Sequence, residues 1–96
     1  MIFYVYILYS ASTGKYYTGQ TEDLVERLEK HNSAIFVDSS TKPGIPWKIY
    51  HVIECTSRKQ AVNIESHIKN MKSVKYYHSL KNYPEITEKL KINYPS

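Results

Sequence analysis

The chain has 96 residues, with 13 Lys or Arg against 9 Asp or Glu, for a formal net charge of +4. This is the length of one domain, residues 1–96, with room for a modest core; the single Cys55 excludes an internal disulfide or a cysteine-built zinc cluster. No apolar run reaches eighteen residues and no leader pattern opens the chain, so a membrane helix and a secretory signal are excluded and a cytoplasmic location is expected. The basic balance favours a polyanionic partner without identifying one.

Phe3 to Tyr9 has the β-branched and aromatic content of a strand, apolar enough on both faces to be central in a sheet. Period-two alternation places Tyr4, Tyr6 and Leu8 on one face and Phe3, Val5, Ile7 and Tyr9 on the other. Ser10 to Lys15 reads as a turn in which Gly14 is free to take positive φ. Tyr16 to Gly19 then returns as the antiparallel partner. Tyr6 and Tyr17 can share a face if the register allows, whereas Tyr16 must face away from Tyr17.

Thr21 is placed as an N-cap, with Glu22 and Asp23 suiting the positive end of a helix that starts near Glu22. Leu24 and Leu28 form its buried stripe, and Arg27 and His31, also four apart, lie beside that stripe. With Tyr17 at the end of the strand, a phenol, a guanidinium and an imidazole can converge on one anionic group, an arrangement that suits a phosphate. The bland alternatives are an Arg27–Asp23 pair at i−4 and a helix C-terminal histidine favoured by the dipole.

Ser33 to Pro46 is a long connection whose Pro43-Gly44-Ile45-Pro46 forbids regular structure, and loops of this length are often functional. Trp47 to Glu54 is a third strand, alternating Trp47, Ile49 and His51 against Lys48, Tyr50 and Val52. Ser57 with Gln60 three residues on is a capping-box signature, so a second helix begins at Arg58 and runs to about Lys72. Ala61, Ile64, Ile68 and Met71 form its apolar stripe, with Glu65 next to it. Tyr76 to Leu80 fits either a continued helix or a segment folded over the sheet. Pro84 opens a last helix to about Lys91, packing through Ile86 and Leu90. The expected fold is α+β, a small three-stranded antiparallel sheet flanked by helices.

Arg58, Lys59, Lys69, Lys72, Lys75 and Lys81 cluster in the second helix and beyond it. The chain also has ten tyrosines, and tyrosine interleaved with lysine is a usable surface for base stacking and phosphate contact. Glu65 is a hard oxygen ligand for a divalent ion that keeps several waters. From this helix alone the better reading is a surface acid paired with Lys69 at i,i+4.

Tyr4-Val5-Tyr6 followed by Tyr17-Thr18-Gly19, then a helix bearing Arg27 and His31 and a later helix bearing Glu65, resembles the GIY-YIG nuclease superfamily as a small stand-alone member, akin to the nuclease domain of a bacterial excision-repair subunit. The resemblance covers about the first three quarters of the chain. It implies an endonuclease acting on DNA phosphodiester bonds with Mg²⁺ or Mn²⁺, structure-selective and at work in DNA repair or recombination. It further implies that Glu65 is the metal ligand, Tyr6 the general base or water-positioning group, Tyr17 a supporting hydroxyl, Arg27 the phosphate clamp and His31 an assistant in proton transfer. Gln20 stands where several members carry lysine, and Tyr76-Tyr77-His78 where many carry asparagine. Gln20, Arg27, Lys69, Lys72 and Lys75 are the candidate nucleic-acid contacts. The alternative is a nucleic-acid-binding module of the same fold without cleavage.

Overall fold

The computed structural model describes residues 1–33 and 42–96; most of the expected Ser33 to Pro46 connection lies outside the described residues. β1 (Phe3–Ser10) and β2 (Lys15–Thr21) form an antiparallel hairpin in which Tyr6 is opposite Gly19 and Leu8 opposite Tyr17. Gly14 takes φ +70° in the turn, a conformation that costs glycine nothing, and the Ser10 hydroxyl accepts hydrogen bonds from the Thr13 amide and hydroxyl. Both strands run further than expected, because Ser10 still pairs with Lys15. β3 (Trp47–Cys55) pairs antiparallel on the other side of β1, giving the order β2-β1-β3 with the apolar β1 at the centre.

The alternation along β1 divides the core in two. Val5 and Ile7 face a cluster with Ile53, Cys55, Ala61, Ile64, Ile68, Leu80 and Leu90. Tyr6 and Leu8 face a smaller one with Trp47, against which Leu24 and Leu28 pack. One face of the sheet therefore carries α2 (Arg58–Met71), α3 (Val74–Asn82) and α4 (Pro84–Asn93), and the other carries α1 (Leu24–Asn32). The alternation expected in β3 does not hold throughout. The ladder slips at Tyr50, between Ile7 opposite His51 and Leu8 opposite Ile49. An extra residue on one strand turns the following side chains over, so Val52 joins Trp47's cluster while His51 stands opposite Ile7.

Three further expectations are corrected. The N-cap of α1 is Asp23, whose carboxylate accepts the Glu26 amide, and not Thr21. Thr21 is still paired in β2, and its hydroxyl binds the Asp23 amide and carbonyl two residues on, a local competitor for the capping role. Pro43 and Gly44 are not irregular but belong to a 3₁₀ turn, Lys42–Gly44. Met71 is exposed, since the inward row of α2 ends at Ile68. The helix stops there, with Lys72 in the left-handed region at φ 47°.

Other elements form as their end signals indicate. Ser57 Oγ accepts the Gln60 amide at the start of α2, but the Gln60 side chain reaches back to the Thr56 amide and donates to the Tyr94 carbonyl. Tyr76 to Leu80 is helical: Ser73 caps α3 through the Tyr76 amide, and Leu80 enters the core. Pro84 begins α4, which packs through Ile86 and Leu90. Among the described residues no helix is long and apolar enough to cross a membrane.

Candidate active site

Tyr6 projects from the central strand toward α1 and is only 2% exposed. Its ring crosses over Gly19: a Cβ built there would overlap the Tyr6 hydroxyl and the ring carbon that bears it. The bare backbone at position 19 is what lets the phenol extend toward the β2 edge. There its oxygen lies 3.1 Å from His31 Nε2. His31, in the last turn of α1, is buried, and its ring stands 4.7 Å from that of Tyr17.

Tyr17 shares the face of Tyr6, as the register allows, and packs against Trp47. Tyr16 points to the opposite face, as expected. Arg27, one turn before His31, is close enough to Tyr6 for its charge and hydrogen bonding to favour the ionised phenol. Among the described residues it forms no ion pair with Asp23, whose carboxylate is engaged in capping. Burial nevertheless dominates at Tyr6 and pushes its pKa well above the usual tyrosine value; Arg27 opposes this, and the neighbouring Tyr17 and Glu65 add to it.

Glu65 arrives from the other side of the sheet. The inward row of α2 (Ala61, Ile64, Ile68) packs on the Val5 and Ile7 face, yet Glu65 influences Tyr6 and the Lys69 ammonium lies 5.9 Å from the centre of the Tyr17 ring. The Lys69 side chain therefore reaches the edge strand β2, and Glu65 lies on the same side of α2. Lys69 and Glu65 are also 3.5 Å apart, so the i,i+4 pair exists within the site. All five residues expected to converge, Tyr6, Tyr17, Arg27, His31 and Glu65, are thus near one rim.

The remaining expected contacts are more dispersed. Gln20 accepts a long hydrogen bond from Arg58, which also pairs with Glu22 at 3.6 Å and sits over the Phe3 ring. Lys72 lies beyond Lys69 toward the hairpin tip, and Lys75 is exposed on α3. A residue that sequence reasoning missed is Asn32. Its side chain donates to the Trp47 carbonyl and accepts the Trp47 amide, fastening the end of α1, and with it His31, to the start of β3. Nothing in the sequence signals this pairing, because its partner is main chain 15 residues away.

Among the described residues no three His, Cys, Asp or Glu stand together as a metal cage. The donor set instead offers one half-buried carboxylate, Glu65, its side chain 18% exposed. A magnesium-like ion that retains most of its waters fits a single hard oxygen ligand. A phenol, an imidazole, a guanidinium and a carboxylate at one rim can together hold a phosphodiester, move a proton and neutralise charge.

The family model described as the GIY-YIG catalytic domain matches residues 2–77, and the chain belongs to that nuclease family, whose substrates are nucleic acids and whose members generally use divalent metals. Within it, the chain is similar to a UPF0213 protein of Syntrophus aciditrophicus (strain SB), with 34% identity over 82 residues, 85% of this chain and 93% of that protein. No solved structure gives a significant match.

Proposed function

We propose that the chain is a metal-dependent endonuclease that hydrolyses DNA phosphodiester bonds, selecting DNA by shape, in repair or recombination. The observation that carries this reading is the 3.1 Å contact between the Tyr6 hydroxyl and His31 Nε2, beside Arg27 and Tyr17 and within electrostatic reach of Glu65. The candidate cations Arg27, Lys69, Lys72 and Lys75 are exposed. Their contacts would be with phosphates, which orient a substrate without reading its sequence.

The raised pKa of Tyr6 argues against a free phenolate. Even an ordinary tyrosine costs about 4 kcal/mol to ionise at pH 7. A relay avoids that cost: as the attacking water gives a proton to the Tyr6 oxygen, Tyr6 passes its own to His31 Nε2. Tyr17, packed on the imidazole, keeps that acceptor oriented. Arg27 binds a non-bridging phosphoryl oxygen, for which a planar guanidinium is well shaped. A divalent ion held by Glu65 would supply positive charge to the phosphoryl and departing oxygens.

The test is nicking of supercoiled and branched DNA with Mg²⁺ or Mn²⁺. Glu65→Gln and Arg27→Ala are expected to lose about 10²-fold or more, the scale of removing one charge-stabilising group. A wild type indistinguishable from both variants would end the enzymatic reading. The second reading, a binding module without cleavage, draws support from the Lys69–Glu65 pair, which engages the carboxylate in an i,i+4 ion pair. It predicts salt-sensitive DNA binding with no turnover.

A further inference from the structure

Beyond Lys69, the face of α2 that borders β2 leads to an open groove of about 310 Å³ between the hairpin tip and the turn joining α2 to α3. Lys15, Tyr16, Lys72, Ser73 and Tyr77 line it, and none of the lining residues is acidic. Lys72 is seven residues beyond Glu65, about 10 Å along a helix, or roughly three steps of a nucleic-acid strand at ~3.4 Å per base. At the other end of the site the groove beside Arg27 and Arg58 also contains Glu22, Asp23 and Glu26. A polyanion leaving the reaction centre therefore meets nearly balanced charge at the α1 end, where Glu22 pairs with Arg58 and Glu26 with Lys30, and uncompensated positive charge at the hairpin end.

The groove also offers aromatic surface that is already ordered. The Tyr16 hydroxyl lies 3.2 Å from His78 Nε2, and its ring is braced by Tyr9, Tyr50 and Tyr77 at 5.0, 5.3 and 5.1 Å. An ordered ring loses little freedom when a base stacks on it. Ser73 Oγ accepts the Tyr76 amide, leaving its proton available to a ligand. Cations and aromatic walls in one groove are the combination that holds single strands without reading sequence.

Building on the nuclease reading, we propose that this groove seats a single-stranded segment of the DNA substrate a few nucleotides from the reaction centre, with Lys15 and Lys72 on its phosphates and the Tyr16 and Tyr77 rings against a base. The preferred substrate is then a duplex carrying a single-stranded overhang. The groove lies outside the set Tyr6, Tyr17, Arg27, His31 and Glu65, and its function is binding.

The experiment is fluorescence anisotropy in EDTA, with labelled blunt duplex DNA and duplexes bearing 5′ or 3′ overhangs, over a range of salt. The wild type should bind one overhang about tenfold or more tightly than the blunt duplex. Lys15→Ala with Lys72→Ala should bring the ratio close to one and lower the salt slope by about 1.4, the loss of two single-strand phosphate contacts. Tyr77→Leu should lose the preference without that change in slope, whereas Tyr77→Phe keeps it. If Tyr77→Leu does not fold, the two exposed lysines still decide the matter. No overhang preference in the wild type, an unchanged preference in the lysine variant, or tighter binding of an RNA overhang overturns the proposal. Because binding is read in EDTA and nicking with Mg²⁺ or Mn²⁺, nicking without overhang preference in binding refutes the groove alone, and overhang preference without nicking refutes the nuclease reading alone.

Discussion

Replacing Gly19 by alanine tests the packing on which the site depends. The added methyl would overlap both the Tyr6 hydroxyl and the carbon bearing it. Tyr6 is 2% exposed and meets His31 beyond, so it has little room to withdraw. Overpacking of this kind costs about 1–3 kcal/mol, and breaking the Tyr6–His31 hydrogen bond adds about 1 kcal/mol. A loss of roughly 2–4 kcal/mol from a domain whose total stability is on the order of 5–15 kcal/mol is severe. At about 4–8 °C per kcal/mol for a chain of this size, the melting temperature should fall by on the order of 15 °C, measurable by calorimetry or circular dichroism. Gly14→Ala is the contrast: its Cβ would meet nothing within 4 Å, and only the positive φ penalises it, at about 1–2 kcal/mol. In a Tyr6→Phe background part of the Gly19→Ala loss should disappear, because one of the two overlapping atoms is gone, giving a coupling of at least about 0.5 kcal/mol. A Gly19→Ala protein that melts within a few degrees of wild type would refute the reasoning.

Asn32→Ala removes two hydrogen bonds to the Trp47 main chain and should cost about 2 kcal/mol in urea unfolding; a change under about 0.5 kcal/mol would show that the clasp is dispensable. His51 is held below the usual imidazole range by burial and then by Lys81, so as pH falls through about 6.5 the unfolded chain takes up a proton first and stability declines. His51→Gln should show a smaller drop in melting temperature than wild type between pH 7.5 and 5.5, and equal drops would refute the assignment. Tyr6→Phe and His31→Phe should each reduce DNA nicking by about 10²-fold or more. The double variant should be no worse than the singles, since a relay broken at one member is broken altogether; losses that multiply would instead indicate independent roles.

Local chemistry alone determined much of this protein. The aromatic alternation of Phe3 to Tyr9, the turn around Gly14, Ser57 before Arg58 and Pro84 before Ile86 state where strands and helices begin, because each signal acts on neighbours within a few residues. The spacing of Arg27 and His31 put both on one side of a helix for the same reason. Other features needed the folded chain. Thr21 lost the cap to Asp23 because β2 held it in the ladder, and the slip at Tyr50 reversed His51 and Val52 because pairing with β1, not the β3 sequence, sets the register there. The approach of the Lys69–Glu65 pair to the Tyr17 side of the sheet is the clearest case. The inward row of α2 and the Tyr17 ring belong to clusters on opposite faces of the sheet, and Lys69 comes within 5.9 Å of that ring because β2 is an edge strand. No periodicity encodes contact around an edge, since it depends on which strand ends up outermost.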